Sequence, residues 1–201
     1  MKSKTMKELA ALTEARWGGE QAGRIAADAA VRWEQLCREH RGACREKQAH
    51  FREELFPCIS YYEALQKNGV PRQEALAFLD RSWSDRARVG AARTKRMLGC
   101  CGLYRLYPAM FQWVARHQFG EKAGFAATFY DCGRSRCRFD MTKCLFWDTC
   151  RSCGCPELTA CFCHTDDINN ADLHPKLRWS RTQFLGGGGA LCDFDVAVRK
   201  D

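Results

Sequence analysis

No apolar run in this 201-residue sequence approaches the ~20 residues that a bilayer-crossing helix requires, so no helical membrane span is expected. The basic start, Met1-Lys2-Ser3-Lys4-Thr5-Met6-Lys7, leads into no apolar stretch. It does not read as a secretory signal, and a cytoplasmic address is the expectation. No basic stretch is interleaved with aromatic residues, so the pattern of a base-stacking nucleic-acid surface is missing. The glycine run at 186–189 is followed by no Lys-Ser pair, which leaves it as a turn into a strand rather than a phosphate cradle. Strand–helix–strand alternation is also missing, which argues against a parallel, doubly wound sheet.

What is present is a folded core and an excess of thiols. Hydrophobic residues make up 46% of the chain and aromatics 11%, enough to bury a sizeable interior. The net charge of +8 gathers at Arg86, Arg88, Arg93, Lys95 and Arg96 and at Arg134, Arg136 and Arg138. Both groups read as solvated faces of a helix and a strand. Cysteines number 14, six of them between residues 144 and 163. With no export signal, and in a chain too long to need staples, a disulfide framework is not expected. Metal ligands, nucleophiles and plain core residues are the readings left open.

Ala22, Ile25, Ala26, Ala29, Trp33, Leu36 and Cys37 recur at helical spacing and predict an amphipathic helix ending near Gly42. A second helix is expected from about Cys44 to Asn68, with Phe51, Leu55, Ile59, Tyr62 and Leu65 inward and Pro57 kinking or splitting it. Gly69 ends that helix and Pro71 opens the next. Ser84 is the expected N-cap of a separate basic helix. Cys100-Cys101-Gly102 reads as a helix junction, and Leu103, Leu106, Tyr107, Met110 and Val114 define a last helix closed near Gly120. This half reads as packing without clustered chemistry.

After Gly124 the period changes to two. Residues 125–130 and 136–144 flank a hairpin turn, and Cys137, Phe139 and Met141 alternate with Arg138, Asp140 and Thr142. Pro156 opens a short helix to about Thr165, and residues 176–183 and 191–198 read as two further strands. The expectation is an α+β fold: an N-terminal helical bundle packed on a small C-terminal antiparallel sheet. It would be a single domain over residues 1–201, helical to about residue 120 and strand-rich from about residue 121.

The chemistry-bearing residues gather in Cys163-His164-Thr165-Asp166, Arg181-Thr182 and Cys192-Asp193-Phe194. Together with Cys144, Pro156-Glu157-Leu158 and Gly188, this pattern resembles the L-2-amino-thiazoline-4-carboxylic acid hydrolase family. Pro57, Tyr61, Leu65, Gly69 and Glu74-Ala75-Leu76 fit its helical segment, so the likeness spans roughly residues 45 to 198. The sequence departs from the pattern at Phe184, where a threonine is expected, and in the thiols Cys150, Cys153, Cys155 and Cys161.

The resemblance implies hydrolytic opening of a cyclic isothiourea: water adds at the amidine-like ring carbon and the ring sulfur leaves, giving N-carbamoyl-cysteine. On that reading Cys163 is the nucleophile or a ligand. Asp166 is the amidine clamp or general base, and His164 an acid–base group. Arg181 anchors the substrate carboxylate, while Thr182, Cys144 and Cys192 complete the pocket. Residue 164 points about 100° away from residue 163 on a helix, so both reach one pocket only if the helix breaks.

Other readings stand beside this one. Cys163 and Cys192 can be buried core thiols, and Arg181 can pair with Asp193 or Asp195. Cys150-x-x-Cys153, with Cys155 and Cys161, can hold zinc or an iron–sulfur cluster. A non-catalytic metal or redox sensor would then present those four thiols as a compact exposed group. The expected partner is a small molecule bearing a carboxylate, with no membrane and no nucleic acid, and a homo-oligomer is left open.

Overall fold

The computed structural model describes residues 3–100 and 102–199. Cys101, one of the paired thiols at the expected helix junction, lies outside the described residues. The chain is helical first and strand-rich later: α1 (Lys4–Trp17), α2 (Gly19–Glu39), α3 (Arg45–His50), α4 (Phe56–Lys67), α5 (Arg72–Leu98) and α6 (Tyr107–Gln118) precede β1 (Ala126–Tyr130) and β2 (Arg136–Lys143). Two further helices, α7 (Leu145–Ser152) and α8 (Thr159–Asn170), separate β2 from β3 (Leu177–Ser180) and β4 (Cys192–Val198). The α+β class follows. Among the described residues no helix is long and apolar enough to cross a membrane.

The helical half is built around α4. Phe56, Cys58, Ile59, Tyr61 and Leu65 are fully buried, so this helix is apolar on every side. Helices α1, α2 and α5 pack around it, as an all-round apolar helix requires. The expected helix from Cys44 to Asn68 runs through α3, a π turn at Phe51–Leu55 and α4. Pro57 falls in the first turn of α4, and the Phe56 N–H reaches back five residues to the Phe51 carbonyl. The wide turn carries the helix past a residue that cannot donate, so Pro57 does not split it.

The expected break at Ser84 does not occur. Helix α5 is continuous over 27 residues and Ser84 is buried within it. Serine is only mildly unfavourable inside a helix, and packing of α8 along α5 outweighs its preference for a cap. Part of the basic charge on α5 is neutralised: Arg86 pairs with Glu8 of α1, and Arg88 with Asp85. No helix was expected over residues 4–17 or 145–152, yet both are helical: the first spreads its apolar residues around the axis, and the second is only eight residues long.

The sheet has order β1-β2-β4-β3, antiparallel throughout. Cys137, Phe139 and Met141 of β2 face the interior opposite Val196, Phe194 and Cys192 of β4. The outer face is ionic: Asp195 takes Arg136 at 2.8 Å and Arg178 at 2.8 Å. Strand β3 is shorter than the sequence pattern indicated. After Ser180 the amides of Thr182 and Gln183 donate to the Asp193 carboxylate instead of continuing the ladder, at 2.9 and 2.8 Å. That detour frees residue 181 to turn inward.

One set of buried side chains runs from Met6 to Phe194 and joins the helices to the sheet. At the junction Gly124 adopts φ +90°, and a Cβ there would lie 3.0 Å from Leu145 Cδ1 and 3.2 Å from Lys47 Cε. Gly124→Ala is therefore expected to destabilise the protein by about 1–3 kcal/mol, read from the urea midpoint.

Candidate active site

Helix α8, strand β4 and the start of α7 converge on one cavity of about 330 Å³. Cys163 and Asp166 are three residues apart on α8 and so share a face. Cys192 opens β4, paired in register with Met141, and Cys144 lies just beyond the end of β2 at the head of α7. All four line the cavity. Its remaining wall is largely aromatic, with Trp83, Phe111, Phe125, Phe146 and Phe162.

Asp166 is the acidic group at the centre. Its carboxyl accepts from Arg181 Nη1 at 3.1 Å and keeps 37% of its side-chain area accessible, while lining the cavity. Burial among apolar rings pushes it up to about 7; Arg181 pulls against that shift and Asp167 adds to it. Near neutral pH both protonation states are therefore populated, the condition for passing protons in either direction.

The three thiols are held in their neutral form. Burial pushes Cys144 up to about 12, against the Trp147 and Phe146 amides at the head of α7, which favour its thiolate. Burial also raises Cys163, and the neighbouring Asp166, Cys144 and Cys192 add to the shift. Cys192 is raised in the same way, although the Leu185 N–H donates to its Sγ at 3.3 Å. Arg181 pulls the Cys163 thiol the other way, but its guanidinium is already shared between two carboxylates and burial prevails. A tight turn closes over the sulfur of Cys163, since a Cβ on Gly186 would lie 3.0 Å from its Sγ and 2.9 Å from Thr159 Cγ2.

Arg181 is a support of the site. Its side chain is 2% exposed, with Nη1 on Asp166, and Nη2 on Asp167 at 2.6 Å and on the Cys163 carbonyl at 2.9 Å. The guanidinium also lies 4.6 Å from the Phe184 ring centre and 5.8 Å from that of Phe194. It pairs across to α8 and not with Asp193 or Asp195. The aromatic residue at 184 thus packs on the arginine that positions Asp166.

Two expected site residues are elsewhere. His164 projects from another side of α8, where Nδ1 meets Asp80 of α5 at 2.7 Å, and it does not line the cavity. Helix α8 stays unbroken there, so the geometric condition for His164 to join Cys163 is not met. Thr182 donates from its hydroxyl to Asp193 on the outer side of β4, where it holds the turn.

The four additional thiols do not form a compact exposed group. Cys150, Cys155 and Cys161 are buried and Cys153 is half-buried. Cys150 faces Cys155, whereas Cys161 is directed at the Leu76 carbonyl of α5. Among the described residues no three His, Cys, Asp or Glu side chains are arranged to hold a metal ion.

The cavity's other wall comes from the helical half, which the sequence pattern marked as packing alone. His50 and Glu54 reach it from the π-turn region, and Phe111 and Gln118 from α6. The signal available in sequence was a His and a Glu four residues apart just ahead of a helical proline.

A family model described as L-2-amino-thiazoline-4-carboxylic acid hydrolase matches residues 48–196. Comparison with curated proteins and comparison with solved structures give no match. The matched span takes in every wall of the cavity, from His50 to Phe194.

Proposed function

We propose, since this chain belongs to that family, that its cavity hydrolyses a small cyclic isothiourea such as 2-aminothiazoline-4-carboxylate. The observation that carries the reading is Asp166: a carboxyl poised at about 7, held by Arg181, on the wall of a largely apolar cavity. An amidinium held against it at ~4 Å contributes about 4 kcal/mol at the effective dielectric of such a site. That is enough to return Asp166 to its ionised form as substrate enters. Aromatic faces around it suit a delocalised cation.

Asp166 then takes a proton from water as the oxygen bonds to the amidine carbon. The ring carbon–sulfur bond breaks as protonated Asp166 gives its proton to the departing sulfur, and the hydroxyl of the adduct loses its own proton to solvent as the carbonyl forms, leaving N-carbamoyl-cysteine with a free thiol. Cys144, Cys163 and Cys192, kept neutral, wall the reacting carbon with weak hydrogen-bonding groups that do not compete for it. Arg181 fixes the direction of the carboxyl.

Purified protein incubated with 2-aminothiazoline-4-carboxylate should release thiol stoichiometrically with ring loss. No release from it, or from other cyclic isothioureas, would sink the proposal. The proximity of Cys163 to Asp166 favours one second reading, attack by that sulfur after Asp166 accepts its proton. Cys163→Ala separates the two: a decrease of about tenfold fits direct water attack. A loss of 10³-fold or more with helical content intact assigns the sulfur as nucleophile.

A further inference from the structure

Arg181, the guanidinium expected to anchor a substrate carboxylate, is 2% exposed and held by Asp166, Asp167 and the Cys163 carbonyl. A zwitterionic substrate still needs a cation for its acid group. Among the described residues lining the cavity, His50 is the one with a basic side chain.

Its surroundings set its protonation. Nδ1 lies 2.8 Å from Glu54 Oε2, and Nε2 lies 3.3 Å from the Gln118 carbonyl oxygen. Carbonyl and carboxylate oxygens only accept, so both ring nitrogens carry hydrogen and the ring is an imidazolium while Glu54 is ionised. Burial works against the charge, but the hydrogen bond and charge of Glu54, with the Gln118 carbonyl, outweigh it and hold His50 above its usual value. Phe125 and Phe146 fix the ring by edge contacts at 5.5 and 5.6 Å. At 3.3 Å the Nε2 bond to Gln118 is long, which leaves that N–H open to a stronger, anionic acceptor.

His50 is the last residue of α3 and Glu54, four residues on, lies inside the wide turn that precedes Pro57. The i,i+4 spacing places the two side chains together. Both line the edge of a largely apolar cavity.

We propose that His50, held as an imidazolium by Glu54, binds the carboxylate of the substrate, so that the cavity grips a zwitterion between His50 and Asp166. The identity of that zwitterion rests on the ring-opening reading above. Turnover is thus measured apart from the carboxylate's share of binding. The charged and titratable groups around the ring are Glu54, Glu46 and His117 of the adjoining surface hollow, and Asp166, Cys144, Cys163 and Cys192 within the cavity.

Two probes differing only in the acid group decide it: 2-aminothiazoline-4-carboxylate and 2-amino-2-thiazoline, with dissociation constants measured by calorimetry. Wild-type protein should bind the acid at least about tenfold more tightly. His50→Gln should erase that preference without weakening the binding of 2-amino-2-thiazoline. In Glu54→Gln, a milder replacement, the preference should persist at acid pH and vanish at a lower pH than in the wild type. The reason is that the carboxylate holding the second ring proton is gone.

A preference that survives in His50→Gln, or none in the wild type, overturns the assignment. Equal weakening of both probes does so too. Turnover with no such preference would leave the ring-opening reading standing and remove His50. A preference lost in His50→Gln without turnover would do the reverse. Failure of both probes to bind ends both readings.

Discussion

Asp166→Asn is expected to lower kcat/KM for thiazoline hydrolysis by about 10²–10⁴-fold, the usual worth of a positioned general base. The residual rate should lose the rise through about pH 7 that Asp166 gives the wild-type kcat/KM profile. In kcat the same limb should lie lower, because a bound amidinium favours the carboxylate. Activity retained within tenfold would remove Asp166 from the chemistry.

The same variant carries an opposite expectation for stability. An unfolded aspartate loses its proton near 3.8, whereas folded Asp166 keeps it to about 7. Between these values the native protein binds more protons than the unfolded chain. The stabilisation from protonated Asp166 is complete below the lower value and lost as pH rises through the upper one. Urea midpoints measured near pH 5 and pH 8 should fall more in the wild type than in Asp166→Asn. Equal slopes would show that the carboxyl titrates as an exposed group.

Arg181→Met is expected to cost about 2–3 kcal/mol of stability, because it strands the partly exposed Asp166 and Asp167 and a main-chain carbonyl. A loss of that size is a substantial part of the ~5–15 kcal/mol that holds a domain together. In the folded fraction the acid limb of the pH–rate profile should move above 7, since Arg181 is what pulls Asp166 down. Arg181→Lys should rescue part of the stability but not the limb, because one ammonium cannot span two carboxylates as a guanidinium does. A variant with unchanged melting and an unmoved limb would refute the supporting role.

The elements most legible in sequence are those with a clean period. The alternation of Cys137, Phe139 and Met141 identified β2 and its buried face, and the helical spacing of Phe51, Leu55, Ile59, Tyr62 and Leu65 identified five side chains that are all buried. Misreadings came where local preference was set against packing. Ser84 carries a capping preference that the contact between α5 and α8 overrides. Pro57, expected to kink or split its helix, is met by one wide π turn just ahead of it. Thr182 and Gln183 look like strand residues, yet a carboxylate on the neighbouring strand takes their amides.

The candidate site divides along the same line. Cys163 and Asp166 are neighbours through the helical repeat alone, and the same repeat turns His164 away, so these placements follow from spacing. The joining of Cys144 and Cys192 to them depends on the register of β2 against β4 and on where α8 crosses the sheet. No local pattern encodes those long-range choices. Whether Arg181 faces solvent, substrate or Asp166 is likewise invisible in a string of residues, because charge pairing is settled by what burial leaves unsatisfied.

The change from a helical half to a strand-rich half, the apolar faces of the clearly periodic elements and the thiol-rich stretch with its acid were written in the linear pattern, because each depends on residues a few positions apart. Two things emerged only once the chain had closed on itself: the proton-holding state of Asp166, and the arrival of His50 from the helical half at the same cavity. Both arise from desolvation and from contacts between different segments of the chain, such as Asp166 with Arg181 and His50 with Gln118, and the linear order carries no record of either.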